Sequence, residues 1–160
     1  MHKYENRVLL IVRTGCAVNC RYCFRRHFPY NEHHNNRQQW RDALMYIQKH
    51  SILEEVILSG GDPLMANDSQ LDWLISQIES ISHIKRLRIH TRLPVVLPQR
   101  ITSGLVDRLQ RSRLIANMVL HINHPQEISA QLSEKVAQLS RNLIRVYNQA
   151  VILKNINDDA

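Results

Sequence analysis

No apolar run in this chain approaches the ~18 residues that a membrane span requires. The longest near the start, Val8 to Val12, is five residues. The opening string MHKYENRVLL has neither a long apolar core nor a small-residue cleavage site, so no signal peptide is expected. Low-complexity stretches, internal repeats and an interdomain linker are also missing. Cysteine is scarce, with three in 160 residues. An odd count with no export signal argues against a disulfide framework and for a metal site in a reducing cytoplasm. The length suits one domain, residues 1–160, able to bury a real core.

The three cysteines that are present stand in one short run, GCAVNCRYCFRRHF, spaced C-x3-C-x2-C at Cys16, Cys20 and Cys23. Three thiolates in one loop can hold a metal centre, and they are one fewer than the four that close a structural zinc or iron–sulfur site. A [4Fe–4S] cluster held at three irons leaves the fourth open to a ligand that is not protein. The alternative is a zinc site completed by His27 as C-x3-C-x2-C-x3-H, in a basic non-catalytic module whose partner is nucleic acid or protein.

Charge is concentrated in the same place. The net charge is +7, and through Arg41 eight Lys and Arg (Lys3, Arg7, Arg13, Arg21, Arg25, Arg26, Arg37, Arg41) stand against Glu5 and Glu32. Nearly the whole surplus therefore surrounds the cysteines. Arginines beside a redox centre favour small anionic ligands, carboxylate or phosphate, over nucleic acid.

The chain alternates β-branched runs with helical periodicity. Strands are expected at Arg7–Val12, Val56–Leu58, Leu87–His90, Ile115–Ile122 and Ile144–Gln149. Between them, Asn36–His50 places Trp40, Ala43, Leu44 and Ile47 on one helical face. The next helix repeats Leu71, Leu74, Ile75 and Ile78 behind a capping box read at Ser69-x-x-Asp72. TRLPVVLPQ reads as a proline-punctuated loop before a helix from about Thr102 to Arg111. A last helix carries Ile128, Leu132, Val136 and Leu139. This alternation implies right-handed βαβ units and a parallel sheet, either doubly wound or barrel-like. The polar and glycine-rich residues fall at strand C-terminal ends: the cysteine loop, SGGDP, HTR, HINHP and Asn148-Gln149. Functional residues gather at that end in βα barrels.

The cysteine spacing, with SGGDP one βα unit later, resembles the radical S-adenosylmethionine (SAM) enzymes. HKYENRVLLIV, CRYCFRRHFP, HTRLPVVLPQRIT and HINHP narrow the likeness to the lysine 2,3-aminomutase family, closest to its short branch that makes (R)-β-lysine for elongation factor P. The resemblance implies a partial (β/α) TIM-like barrel, about five parallel strands with intervening helices, truncated at both ends. It implies a [4Fe–4S] cluster, SAM and pyridoxal phosphate (PLP) as cofactors. L-lysine would be the substrate and a flavodoxin or ferredoxin the reductant, in the cytoplasm, with no membrane or nucleic-acid partner. Carried over by position, Cys16, Cys20 and Cys23 are cluster ligands. Ser59, Gly60, Gly61 and Asp62 hold the methionine portion of SAM, with His121 and Gln149 near its adenosine and methionine groups. Tyr22, where lysine 2,3-aminomutases carry a histidine, is counted with them for its ring. Tyr4 and Arg7 go to PLP, and Arg25 to the lysine carboxylate.

The family anchors PLP through a lysine in a glycine-rich stretch. None of Lys3, Lys49, Lys85, Lys135 and Lys154 lies in one. The segment is therefore expected to bind cluster and SAM without being a competent isomerase. His90 is read as a strand cap, His33, His34 and His50 as surface residues, Trp40 and Trp73 as packing or an exposed edge, and Arg26 as a surface charge.

Overall fold

The computed structural model describes residues 1–23, 25 and 37–158. Its frame is one parallel sheet of five strands: β1 (Arg7–Arg13), β2 (Glu55–Gly60), β3 (Arg86–Thr91), β4 (Ile115–Leu120) and β5 (Arg145–Asn148). Spatial order is the sequence order, β1-β2-β3-β4-β5. The helices are α1 (Arg37–Lys49), α2 (Asp68–Glu79), α3 (Leu93–Val96), α4 (Ser103–Gln110) and α5 (Ala130–Arg141). Because right-handed crossovers in one unreversed order put every helix on the same face, the winding is that of a βα barrel. A doubly wound sheet reverses its order partway, and this one does not.

Side-chain alternation follows from that layout. Successive residues of a strand point to opposite faces, so Val8, Leu10 and Val12 of β1 and Leu87, Ile89 and Thr91 of β3 are buried on one side. The same core takes Val56 and Leu58 of β2 with Leu71, Leu74, Ile75 and Ile78 of α2. Trp40 of α1 is buried and stacks on Trp73 at 6.0 Å, so both tryptophans pack. The opposite face mixes apolar residues with charged and polar ones. There Arg88 donates to Glu55 at 2.6 and 3.0 Å, although Glu55 is only 2% exposed. This face forms a concavity of about 530 Å³ that runs up to His90 and Gln149.

Several local readings need correction. The capping box of α2 is Asn67 with Gln70: Asn67 Oδ1 accepts from Gln70 N at 2.9 Å, and Gln70 Oε1 accepts from Asn67 N at 3.1 Å. Ser69 lies inside the first turn and donates to Asn67. The helix starts earlier because Asn67 holds the extended backbone of a cap, and such a cap is worth ~1 kcal/mol. TRLPVVLPQ contains the short helix α3 and a 3₁₀ turn at Pro98–Arg100, each with proline in its first positions, where the missing N–H costs nothing. Thr102 is the N-cap of α4 rather than its first residue, and Ile128 precedes α5 and is exposed. Asn36 lies outside the described residues. Among those described, no helix is long and apolar enough to cross a membrane.

Candidate functional site

The C-terminal ends of the five strands form one edge, and the residues singled out from the sequence fall largely along it. At the end of β1 the register against β2 slips between Ile11 and Arg13, which turns the chain into the cysteine loop. That loop lies directly on the glycine turn leaving β2. Gly61 N donates to Arg13 O at 2.7 Å, and Asp62 N donates to Gly15 O at 3.0 Å. Both glycines are needed for this approach. A Cβ at Gly61 would stand 2.3 Å from Gly15 O, and one at Gly60, whose φ is +125°, would stand 2.4 Å from Arg13 O.

Asp62 ties the turn to the next strand. Its Oδ1 accepts from Leu64 N at 3.0 Å and Thr91 Oγ1 at 2.7 Å, while Oδ2 accepts from Arg92 N at 2.8 Å and Leu93 N at 2.9 Å. Four donors fill the acceptor directions of a carboxylate. Asp62 thus shapes the turn, and its oxygens are not free to meet an ammonium group. Ser59 is buried, and Arg25 Nη1 donates to Ser59 Oγ at 2.6 Å and to Gly60 O at 3.0 Å. Arg25, read from the sequence as a substrate residue, therefore stands on the turn read as the SAM residues.

Two histidines and a glutamine meet at the ends of β3, β4 and β5. The rings of His90 and His121 lie edge to face with centroids 6.0 Å apart, and His90 Nδ1 is 3.1 Å from Gln149 Oε1. His90 is therefore not a strand cap through a backbone bond. His90 Nδ1 and the Gln149 amide thus satisfy each other, and Nε2 is the ring nitrogen left over. Nε2 of His90 and of His121 are both buried with no hydrogen-bond partner. Burial first, and then the neighbouring His121, push the His90 pKa down to about 4. Burial likewise lowers that of His121, against the opposing pull of Asp62. Both rings are neutral near pH 7.

Tyr22 also reaches this edge. Its hydroxyl accepts from Arg92 Nη1 and from Asn123 Nδ2, and the Arg92 guanidinium lies 5.7 Å from its ring centroid. Arg92, Asn123 and Glu127 were not singled out from the sequence, although HTR and HINHP, at strand exits, held two of them. Tyr4 and Arg7 do come together, the guanidinium 5.4 Å from the ring, but at the start of β1. Six rises at ~3.3 Å put them ~20 Å from the cysteine end of the strand. The anion that Arg7 faces is Glu55, at 3.9 Å. His50 is half-buried, its ring stacked on Tyr46 at 3.9 Å. Arg26, His27, His33 and His34 lie outside the described residues.

The three cysteines are free thiols on one loop. Among the described residues no three His, Cys, Asp or Glu side chains are already gathered as a ligand set. The donor chemistry nevertheless fits an iron–sulfur group, since thiolates are its protein ligands. Burial, then Asp62, then the two other thiols push the Cys16 pKa up to about 11, which is the penalty a bound cation would remove.

Barrel-type winding with a cysteine loop seated on a glycine turn defines a class of protein whose chemistry sits at the strand C-termini. The match over residues 10–159 makes the chain a member of the Radical SAM superfamily. It is also 54% identical over all 160 residues to the L-lysine 2,3-aminomutase of Escherichia coli (strain K12), and 56% identical to that of Haemophilus influenzae, covering 47% of each of those proteins. The L-lysine 2,3-aminomutase of Clostridium subterminale is 36% identical over 158 residues, 98% of this chain and 38% of that protein. The chain spans about half the length of these curated relatives or less.

Proposed function

We propose that this chain carries the radical-generating part of an isomerase that converts L-α-lysine to (R)-β-lysine for modification of elongation factor P. One observation supports it above the rest: the loop that carries three free cysteines at C-x3-C-x2-C begins, at Arg13 and Gly15, hydrogen-bonded to the glycine turn of β2. The relatives' names supply the substrate. When bound, a [4Fe–4S] cluster with SAM supplies a carbon radical by reductive cleavage, and PLP supports migration of the amino group.

The chain's own residues bind and align. Cys16, Cys20 and Cys23 would hold the cluster through three thiolates, one protein ligand fewer than a closed site has. Gly60 and Gly61, with Ser59 before them, let the backbone come close to the methionine end of SAM, and Asp62 holds that backbone in shape through its four bonds. His121 would offer its unpaired buried Nε2 to the polar groups of SAM, with Gln149 bonded to the neighbouring His90. Tyr22 packs its ring against the same ligand. Arg25 presents a fork suited to the lysine carboxylate. Tyr4 and Arg7 are assigned to PLP, Arg7 for its phosphate. A flavodoxin or ferredoxin is the proposed electron donor, in the cytoplasm, and residues 1–160 act as one domain.

The test is electron paramagnetic resonance of the anaerobically reconstituted, reduced chain with and without SAM. A change in the cluster signal on adding SAM is expected. An unchanged signal refutes SAM binding at the cluster. With L-lysine and PLP added, no β-lysine is expected from these 160 residues, because none of the five lysines lies in a glycine-rich stretch. Turnover to β-lysine would overturn that part.

A further inference from the structure

Arg92 meets the β2 turn through its backbone and the cysteine loop and β4 exit through its side chain. Its backbone N donates to Asp62 Oδ2 at 2.8 Å. Its Nη1 donates both to Tyr22 Oη, between Cys20 and Cys23, and to His121 O at 3.0 Å. Its Nη2 pairs with Glu127 Oε1 at 2.9 Å, and both side chains are largely buried, at 17% and 25% exposure. The loop of connections then closes on itself. Glu127 Oε2 accepts from Asn123 N at 3.0 Å, and Asn123 Nδ2 donates to the same Tyr22 hydroxyl. Asn123 also reaches the segment after β5, accepting from Val151 N and Asn157 Nδ2, each at 2.8 Å.

We infer that Arg92 is a positioning residue that acts through Tyr22: it fixes the loop between Cys20 and Cys23 against the exits of β3 and β4. The chemistry selects arginine. A planar fork with several donors can bond a phenol oxygen, a carbonyl and a carboxylate at once, whereas an ammonium on a flexible stem cannot hold all three in one plane. A phenol oxygen that accepts two donors is held in position from two strand exits. The hydroxyl of Tyr22 therefore does what a phenylalanine ring of the same shape would not. The inference rests on the cluster reading only for what the loop holds: the Arg92 side chain bonds Tyr22, His121 and Glu127, and the Tyr22 hydroxyl also meets the Cys20 side chain.

Hydrogen exchange of the metal-free chain and iron retention of the reconstituted chain test this separately. Tyr22→Phe and Arg92→Met should each speed exchange over residues 14–23 by about ten- to a hundred-fold, the scale of one charge-assisted hydrogen bond. The double variant should be no faster than the quicker single variant, and exchange in α2 should stay as in the wild type. Arg92→Lys, which can still pair with Glu127, should fall between. In reconstituted protein the same variants should lose iron to a chelator faster, in the same rank order. A wild-type loop that exchanges like an unprotected peptide would overturn the assignment. So would variants that leave the loop unchanged, acceleration spread equally into α2, or a double variant whose effect is the product of the two singles. If the wild type takes up no iron, the cluster reading falls and the exchange data alone decide the role of Arg92.

Discussion

Replacing Asp62 by asparagine removes one oxygen and a charge from a buried group that accepts four hydrogen bonds. The amide must turn its nitrogen toward one of two pairs of donors. Facing Arg92 N and Leu93 N, it would set N–H against two backbone N–H groups that cannot reverse. Facing Leu64 N and Thr91 Oγ1 it does better, since the threonine hydroxyl can rotate and accept. Leu64 N alone is then stranded, at a cost of ~1–3 kcal/mol, and the three surviving bonds lose their charge assistance. The expected loss is ~2–4 kcal/mol. Asp62→Ala strands all four donors and should cost more. Thr91→Val in the asparagine background should remove the escape route and worsen it further. Urea unfolding with an unchanged slope is the assay. A loss under ~1 kcal/mol for asparagine, or an alanine variant no worse than asparagine, would refute the claim that this carboxylate is committed to the turn.

Three further outcomes follow from the same edge. Gly61→Ala should cost ~1–3 kcal/mol and displace the cysteine loop, because the new methyl meets Gly15 O at 2.3 Å; unfolding free energy and thiol reactivity both read it. His90, with its pKa lowered to about 4, should contribute stability that is complete above its unfolded pKa near 6.5 and is lost as pH falls toward 4. The full shift would correspond to ~3 kcal/mol, and with the residue only half-buried ~1–2 kcal/mol is expected; a His90→Gln variant that keeps the same pH dependence would contradict this. In a longer protein bearing this segment, Arg25→Lys should raise the lysine KM about tenfold or more while SAM cleavage survives. Its bonds to Ser59 and Gly60 set the contrary result, loss of SAM binding with lysine binding intact, which would move Arg25 to the SAM site.

The strands were legible because each is a short apolar or alternating run closed by glycine or polar residues, and the observed bounds differ from the reading by only a residue or two. Their unreversed order could not be read from periodicity, since local spacing is the same in a barrel and a doubly wound sheet. Spacing also located the cysteine loop and the glycine turn. It did not reveal that the glycines are required by a backbone crossing 2.3 Å from a would-be Cβ. Nor did it find Arg92, whose contact with Tyr22 spans 70 positions, or Asn123, 101 positions from the same hydroxyl. The bonds of Asp62 were out of reach for a related reason. A carboxylate beside two glycines suggests an ammonium ligand, but its oxygens are taken by donors about thirty positions away. What sequence spacing conveys is local, and most of this edge is assembled by contacts between strand exits.

The central claim is that Cys16, Cys20 and Cys23 are the protein ligands of a cluster with one open iron. The most direct measurement is the iron, sulfide and zinc content of the anaerobically reconstituted chain, alongside a Cys20→Ala variant. About four irons and four sulfides per chain, with an oxygen-sensitive absorption band that disappears in Cys20→Ala, is the predicted result. One zinc per chain without sulfide, or full iron and the same band in Cys20→Ala, would contradict it.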